Sequence, residues 1–275
     1  MIKVQENVPE AESDVKLTPL EALHSLSLER SRPKARMRVH DEPAFVIATY
    51  PWSESSLIAE LLTEHYGRVP VVVRGAKRPY SKFRGLINAF APLVVNFSGA
   101  GDVKNLTEAK WLGGMTSVEP ANMMSGFYAN ELVLRMTVRE DPTPQLFKAY
   151  TQLLAELAHQ KGQALQLALR RFEVSLLDSL GWGQAAKSEL TENADAIWCV
   201  KAGELQLMRE AVVIDPQFKS ESLVSNACAR AIIANDITAQ SPLPELRRVL
   251  RSIIGYYVGD IGLNTRKTLS RWSQV

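Results

Sequence analysis

Cysteine is nearly absent from this chain of 275 residues: only Cys199 and Cys228 occur, far apart in sequence. Two such thiols build neither a disulfide framework nor a four-cysteine zinc site, and they suit a reducing compartment. Histidine is scarce too. None of His24, His40, His65 and His159 has a partner at metal-ligand spacing. No segment approaches the roughly 18 consecutive apolar residues of a spanning helix. The opening MIKVQENVPEAESDVKLTPL has no apolar core of a secretory signal, so a cytoplasmic protein is expected. Net charge is only +2, from 32 basic and 30 acidic residues, too little to name a partner.

Catalytic signatures are missing as well. There is no GxxxxGK[ST] phosphate cradle, no GxSxG elbow, and no serine or cysteine nucleophile with an evident base. Gly99-Ala100-Gly101 matches half of a dinucleotide fingerprint, but its strand–turn–strand setting fits a hairpin. No catalytic residue, metal or cofactor is expected.

What is present divides along the chain. Residues 1–29 are polar and aperiodic and read as a mobile tail with one short helix at Pro19 to Leu28. From Arg30 to Arg38 five of nine residues are basic, interrupted by Pro33. This reads as a solvated hinge or as an arm that touches phosphates. Five strands are expected next: Ala44–Tyr50, Ser56–Thr63, Val69–Ala76, Pro92–Ser98 and Val103–Trp111. The second is ambiguous, because Leu57, Leu61 and Leu62 also make a helical stripe. Pro70 argues for an exposed edge near the start of the third. Five short strands without an intervening helix suit a small barrel.

From Glu119 the period turns helical. Phe127, Leu132 and Leu134 follow Gly126. Thr143-Pro144 supplies a capping hydroxyl and a first-turn proline for the stripe Leu146, Tyr150, Leu153, Leu154, Leu157. A third stripe, Leu165 to Leu180, stops at Gly181. Ala202-Gly203 marks a hairpin between Ile197 and Met208. Two further stripes run from Leu223 to Ile232 and from Leu246 to Tyr257. The expected class is therefore α+β, with a five-stranded barrel at 41–115 behind an extension at 1–40. A helical bundle follows at 116–275, with a weakly patterned insert at about 184–218.

The informative run is Tyr66 to Gly85. It holds Arg68, Arg74, Lys77, Arg78, Lys82 and Arg84 without one Asp or Glu, interleaved with Tyr66, Tyr80 and Phe83. Cations that neutralise successive phosphates, beside flat rings that accept any base, are what single-stranded nucleic acid requires. The bland alternative is a loop kept soluble by charge. Lys104 and Lys110 extend the track. Arg170-Arg171 lies at the border of the third helical stripe, where a cation beside an apolar groove suits an acidic, hydrophobic-ended peptide. An i,i+3 pair of Arg170 with Glu173 on a wet face is the plainer reading. Arg247, Arg248, Arg251, Arg266, Lys267 and Arg271 read as snorkelling helix residues. Cys228 reads as a core thiol, and Trp52 is the tryptophan most suited to a functional contact.

Four stretches carry a likeness. AFVIATYPWSESSLIAELLTEHYGRVPVVVRGAKRPYSKFRGLINAFAPLVVNFSGAGDVKNLTEAKW resembles the N-terminal domain of the RecO family of bacterial DNA-repair proteins, as do SGFYANELVLRM, ALRRFEVSLLDSLGWG and, more loosely, ELRRVLRSIIGYYVGDIGLNTRK. The resemblance spans roughly 43–183 and 220–272. It implies an OB fold followed by a helical domain, and a recombination mediator that is not an enzyme. Such a protein binds single- and double-stranded DNA and anneals strands coated by single-stranded-DNA-binding protein (SSB). It works with RecR to load RecA in the cytoplasm. The family's basic strand-and-loop residues correspond to Arg74, Lys77, Arg78, Lys82 and Arg84. Its helix beside the pocket for the SSB tail corresponds to Arg170 and Arg171. With Arg68, Tyr80 and Lys104 these are the candidate site residues. The cysteine pairs of zinc-binding relatives are missing after GWG. A hydrolase with a structural barrel, or an RNA-binding module, are the rival readings.

Overall fold

The computed structural model describes residues 37–190, 196–208, 223–259, 262–265 and 268. The tail and most of the basic linker lie outside them, as do Arg266, Lys267 and Arg271. Strands β1 (Met37–Pro51), β2 (Leu57–Thr63), β3 (Gly67–Val73), β4 (Pro92–Gly99) and β5 (Lys104–Trp111) close into a barrel. The order around it is β1-β2-β3-β5-β4. Closure rests on a short parallel contact, Val71 opposite Lys104 and Val72 opposite Asn105. Period-two alternation sends Val69, Val71 and Val73 inward with Leu61, Val95 and Phe97 to fill the interior. The fold is the OB-like barrel followed by helices that the resemblance implies.

The first strand is longer than its sequence suggests. It runs from Met37 through Pro43, pairing with β4 by residues 37–45 and with β2 by residues 44–51. Register shifts at Val39/Glu42 and Val46/Ala48 bend it around the barrel. Asp41 sits at φ 52, and its N–H donates to Asn96 Oδ1 at 2.7 Å. The second segment is a strand and not a helix. Leu61 points into the barrel, while Leu62 points out into the helical core, so both faces are buried and the apolar pattern is continuous. Pro70 does mark a gap in the β3–β5 ladder, yet it is buried: residues 139–140 cover that edge, and Glu140 N–H donates to the Arg68 carbonyl at 2.9 Å.

The helical part comprises α1 (Met123–Met136), α2 (Pro144–Leu157), α3 (Gly162–Ser179), the short α4 (Gln184–Lys187), α5 (Asn226–Ile233) and α6 (Leu243–Val258). Strands β6 (Ile197–Lys201), β7 (Glu204–Leu207) and β8 (Leu223–Ser225) form a small sheet in the order β7-β6-β8. Pro144 opens α2, but the Thr143 hydroxyl makes no capping bond. Leu223 and Val224 belong to β8, and the helix after them starts where Ser225 Oγ accepts from the Cys228 N–H at 3.2 Å. Ala202 and Gly203, both at positive φ, close the β6–β7 hairpin. Among the described residues no helix is long and apolar enough to cross a membrane.

One core joins barrel to helices. Phe45, Ile47 and Leu62 on the barrel's outer wall pack with Leu132, Val133, Phe147 and Tyr150. Asn130 donates to the Ile47 carbonyl, freed at the second shift in β1, at 2.8 Å and accepts from the Tyr150 hydroxyl. Below this contact the Thr137–Asp141 segment straps across β3. The helices therefore take one side of the barrel, and the loop after β3 stays open.

Candidate nucleic-acid interface

The loop between β3 and β4 is wound by successive tight turns. Arg78 N–H donates to Gly75 O, Ser81 N–H to Arg78 O, and Arg84 N–H to Ser81 O, each at 3.1 Å. Phe83 turns inward, buried at the barrel's end. That anchor leaves the charged neighbours outside. Arg74 Nε donates to Asn105 Oδ1 at 3.2 Å, Lys77 Nζ to Ser53 O at 2.8 Å, Lys82 Nζ to Thr107 O at 2.8 Å and Arg84 Nη1 to Pro79 O at 2.9 Å. Every acceptor is a neutral oxygen, so these bonds orient the cations without cancelling their charge. Arg74, Arg78, Tyr80 and Lys82 line one open depression, and the Tyr80 ring is fully exposed.

Two expected members of this track lie elsewhere. Arg68 is buried: its Nη1 lies 3.0 Å from Glu60 Oε2, its Nε donates to Thr137 Oγ1 at 3.2 Å, and its Nη2 donates to Thr137 O at 2.8 Å. Burial holds its guanidinium below the ordinary range against the pull of Glu60. Lys104 is buried as well, its Nζ 2.8 Å from Glu140 Oε1 and 2.6 Å from Gly101 O. Both are cations of the barrel–helix junction, occupied by carboxylates and closed to phosphate. Sequence alternation gives no sign of this, because Glu60 and Glu140 approach only in three dimensions. Of the rings, Tyr66 packs edge-on against Phe97 at 5.8 Å and Phe83 is internal. Lys110 lies 3.1 Å from Glu108.

The two arginines of α3 point to different places, as the 100° step between consecutive helical residues requires. Arg170 Nη2 lies 2.8 Å from Glu173 Oε1, and Glu173 also accepts from the Tyr128 hydroxyl at 2.6 Å. The i,i+3 pair is real, but it is buried and not on a wet face. Arg170 Nε, buried, has no hydrogen-bond partner among the described residues. Beside it Met124, Leu165 and Leu169 join Arg247 and Arg251 of α6 around a groove of about 290 Å³. Arg171 faces α2, its Nη2 2.6 Å from Glu156 Oε2, and lies outside the groove. Arg247 and Arg251, read as snorkelling helix residues, stand i,i+4 at the rim of an apolar stripe and line this groove.

Cys199 and Cys228 are both buried, and desolvation pushes both thiols up. Among the described residues no group of three or more His, Cys, Asp or Glu side chains converges.

The comparisons agree with this architecture. The family model "Recombination protein O N terminal" matches residues 37–115, the barrel with its basic loop. "Recombination protein O C terminal" matches residues 119–194, from α1 through α4. The DNA repair protein RecO of Aromatoleum aromaticum is 35% identical over 246 residues, covering 87% of this chain and 99% of that one. The chain belongs to the RecO family. RecO of a Polaromonas species is 37% identical, over 86% of this chain and 97% of the relative. That of an Azoarcus species is 34% identical, over 85% and 96%. RecO is a family of DNA-repair proteins. In this RecO-family chain Arg170 lies within the matched helical region, while Arg247 and Arg251 lie beyond it.

Proposed function

We propose that this chain is a recombination mediator that binds single- and double-stranded DNA on the barrel loop. It anneals complementary strands coated by SSB and, with RecR, promotes RecA loading. The observation that supports the DNA contact is the loop cations Arg74, Lys77, Lys82 and Arg84, whose side chains donate to neutral oxygens among the described residues, with Arg78 beside Arg74 and Lys82 in the same open depression. Such a track lowers the repulsion between two strands by holding one through its phosphates. The groove of Arg170, Arg247 and Arg251 has the charge and the apolar floor to take the acidic, hydrophobic-ended tail of SSB. It would bring the annealing surface to coated DNA.

The test is strand annealing and DNA affinity measured across salt concentrations, without ATP. Affinity should fall with a log–log slope of roughly −0.7 per neutralised phosphate on single strands. Charge reversal at Arg74, Lys77 and Arg78 should flatten that slope and slow annealing; unchanged binding would remove the loop from the site. Arg170→Ala and Arg247→Glu should each weaken an SSB-tail peptide while leaving oligonucleotide binding alone. Full peptide affinity in both would remove the groove.

A further inference from the structure

We propose that Tyr50 and Trp52 form a base-stacking shelf that makes the DNA surface select single strands. This rests on the DNA-binding reading of the neighbouring loop and adds a second element to it.

Both rings are left in solvent on a fixed backbone. Tyr50 is 47% and Trp52 63% exposed. Tyr50 stands opposite Ile58 in the β1–β2 ladder. The turn after it is tied by Trp52 N–H and Ser53 N–H, both donating to Ser56 O at 3.3 Å, and by Ser56 N–H donating to Ser53 Oγ at 3.1 Å. An ordered backbone thus holds a large indole mostly out of the core, where burial would otherwise favour it.

The shelf is joined to the cationic loop. Lys77 N–H donates to Ser55 O at 3.0 Å, Lys77 Nζ to Ser53 O at 2.8 Å, and Gly75 N–H to Ser56 Oγ at 3.3 Å. These bonds hold the aromatic turn and the phosphate-neutralising loop in one relative position. Along β2 from Ile58, Glu60 pairs with Arg139, whose side chain is 47% exposed, as well as with Arg68. The rings therefore stand on a turn fixed to the cationic loop. Glu54 is the exposed acid of the turn. An apolar protein partner has no use for this many cations, whereas a polynucleotide with unpaired bases uses rings and cations together.

The two parts do different work. Loop cations neutralise phosphates of either a single strand or a duplex, because both carry them. A ring can stack only on a base that is not already stacked inside a helix. Loss of the rings should therefore change the preference between the two forms, and loss of the cations should weaken both.

The experiment titrates the full chain with a labelled oligothymidylate and with a duplex of equal length, following fluorescence anisotropy at low and moderate salt. Trp52→Ala should weaken the oligothymidylate by about tenfold and the duplex by less than about twofold. Tyr50→Ala should act in the same direction. Trp52→Phe, which keeps a ring, should restore most of the affinity while abolishing the DNA-dependent quenching of that indole. Arg78→Glu in the same series should weaken both ligands. If Arg78→Glu weakens both but Trp52→Ala spares the oligothymidylate or weakens both ligands equally, the shelf is wrong and the loop stands. If Arg78→Glu changes neither, the DNA-binding reading itself has failed.

Discussion

Glu60 and Arg68 meet across the β2–β3 ladder at 3.0 Å, with side chains only 2% and 9% exposed. Arg139 reaches the same carboxylate from the strap after α1. A buried pair of this kind contributes little beyond a well-packed apolar pair, but removing one partner strands the other without water.

Arg68→Ala is therefore expected to destabilise the fold by roughly 3–5 kcal/mol, leaving Glu60 with the half-exposed Arg139 alone. Urea denaturation reads this loss. At low temperature, where the variant is folded, its DNA affinity and salt slope should match the parent. Arg78→Glu should do the reverse, sparing stability and weakening DNA. A parent-like urea midpoint for Arg68→Ala would contradict the junction role.

Gly67 is the second element of that junction. It takes φ +65, and a Cβ there would fall 2.0 Å from the Asp141 carbonyl oxygen. Left-handed backbone and overlap together predict that Gly67→Ala costs roughly 2–6 kcal/mol. Gly85, at φ +76 with no described atom within 4 Å of its Cβ position, should lose only about 1 kcal/mol on the same change. Denaturant midpoints of the two variants compare them directly; equal losses would show that Asp141 is not the obstacle.

Acid should loosen the contact of Asn264 and Thr265 with α1. Burial alone would raise the Glu131 carboxyl, but the N–H groups of Thr265 and Asn264, the Thr265 hydroxyl and Arg135 outweigh it and hold the group below its ordinary 4.5. A depressed carboxylate stabilises above the ordinary value, and that contribution disappears as pH falls through the lower, folded one. Protection of the Asn264 and Thr265 N–H groups, relative to their intrinsic exchange, should fall as acid protonates Glu131 below that ordinary value. Glu131→Gln should show the faster exchange already at neutral pH. Protection unchanged across that range would exclude the carboxylate as the clamp.

How much of this was legible follows from where each pattern originates. The barrel strands after Pro43 and the stripes of α2, α3 and α6 are written in local periodicity, so their elements are where the pattern puts them. β1 hid its first seven residues because a bulged strand that serves two neighbours breaks the alternation. The basic loop was visible because a run without acids is a property of consecutive residues. Arg68 and Lys104 were misplaced because their carboxylate partners come from other elements, Glu60 across a ladder and Glu140 from the strap. The groove that Arg247 and Arg251 line was not legible because α1 and α3, distant in the chain, complete it. Local chemistry was readable, and partnership across elements was not.

Asn130 sits in α1, yet the carbonyl it satisfies belongs to the bulge in β1. A fragment cut between the two matched regions would leave that carbonyl bare and strip the cover from Phe45, Ile47 and Leu62. Such a piece would be expected to precipitate or borrow a substitute surface from its own copies. The boundary between the two matched regions thus runs across a single shared core, so each region lends the other part of its cover.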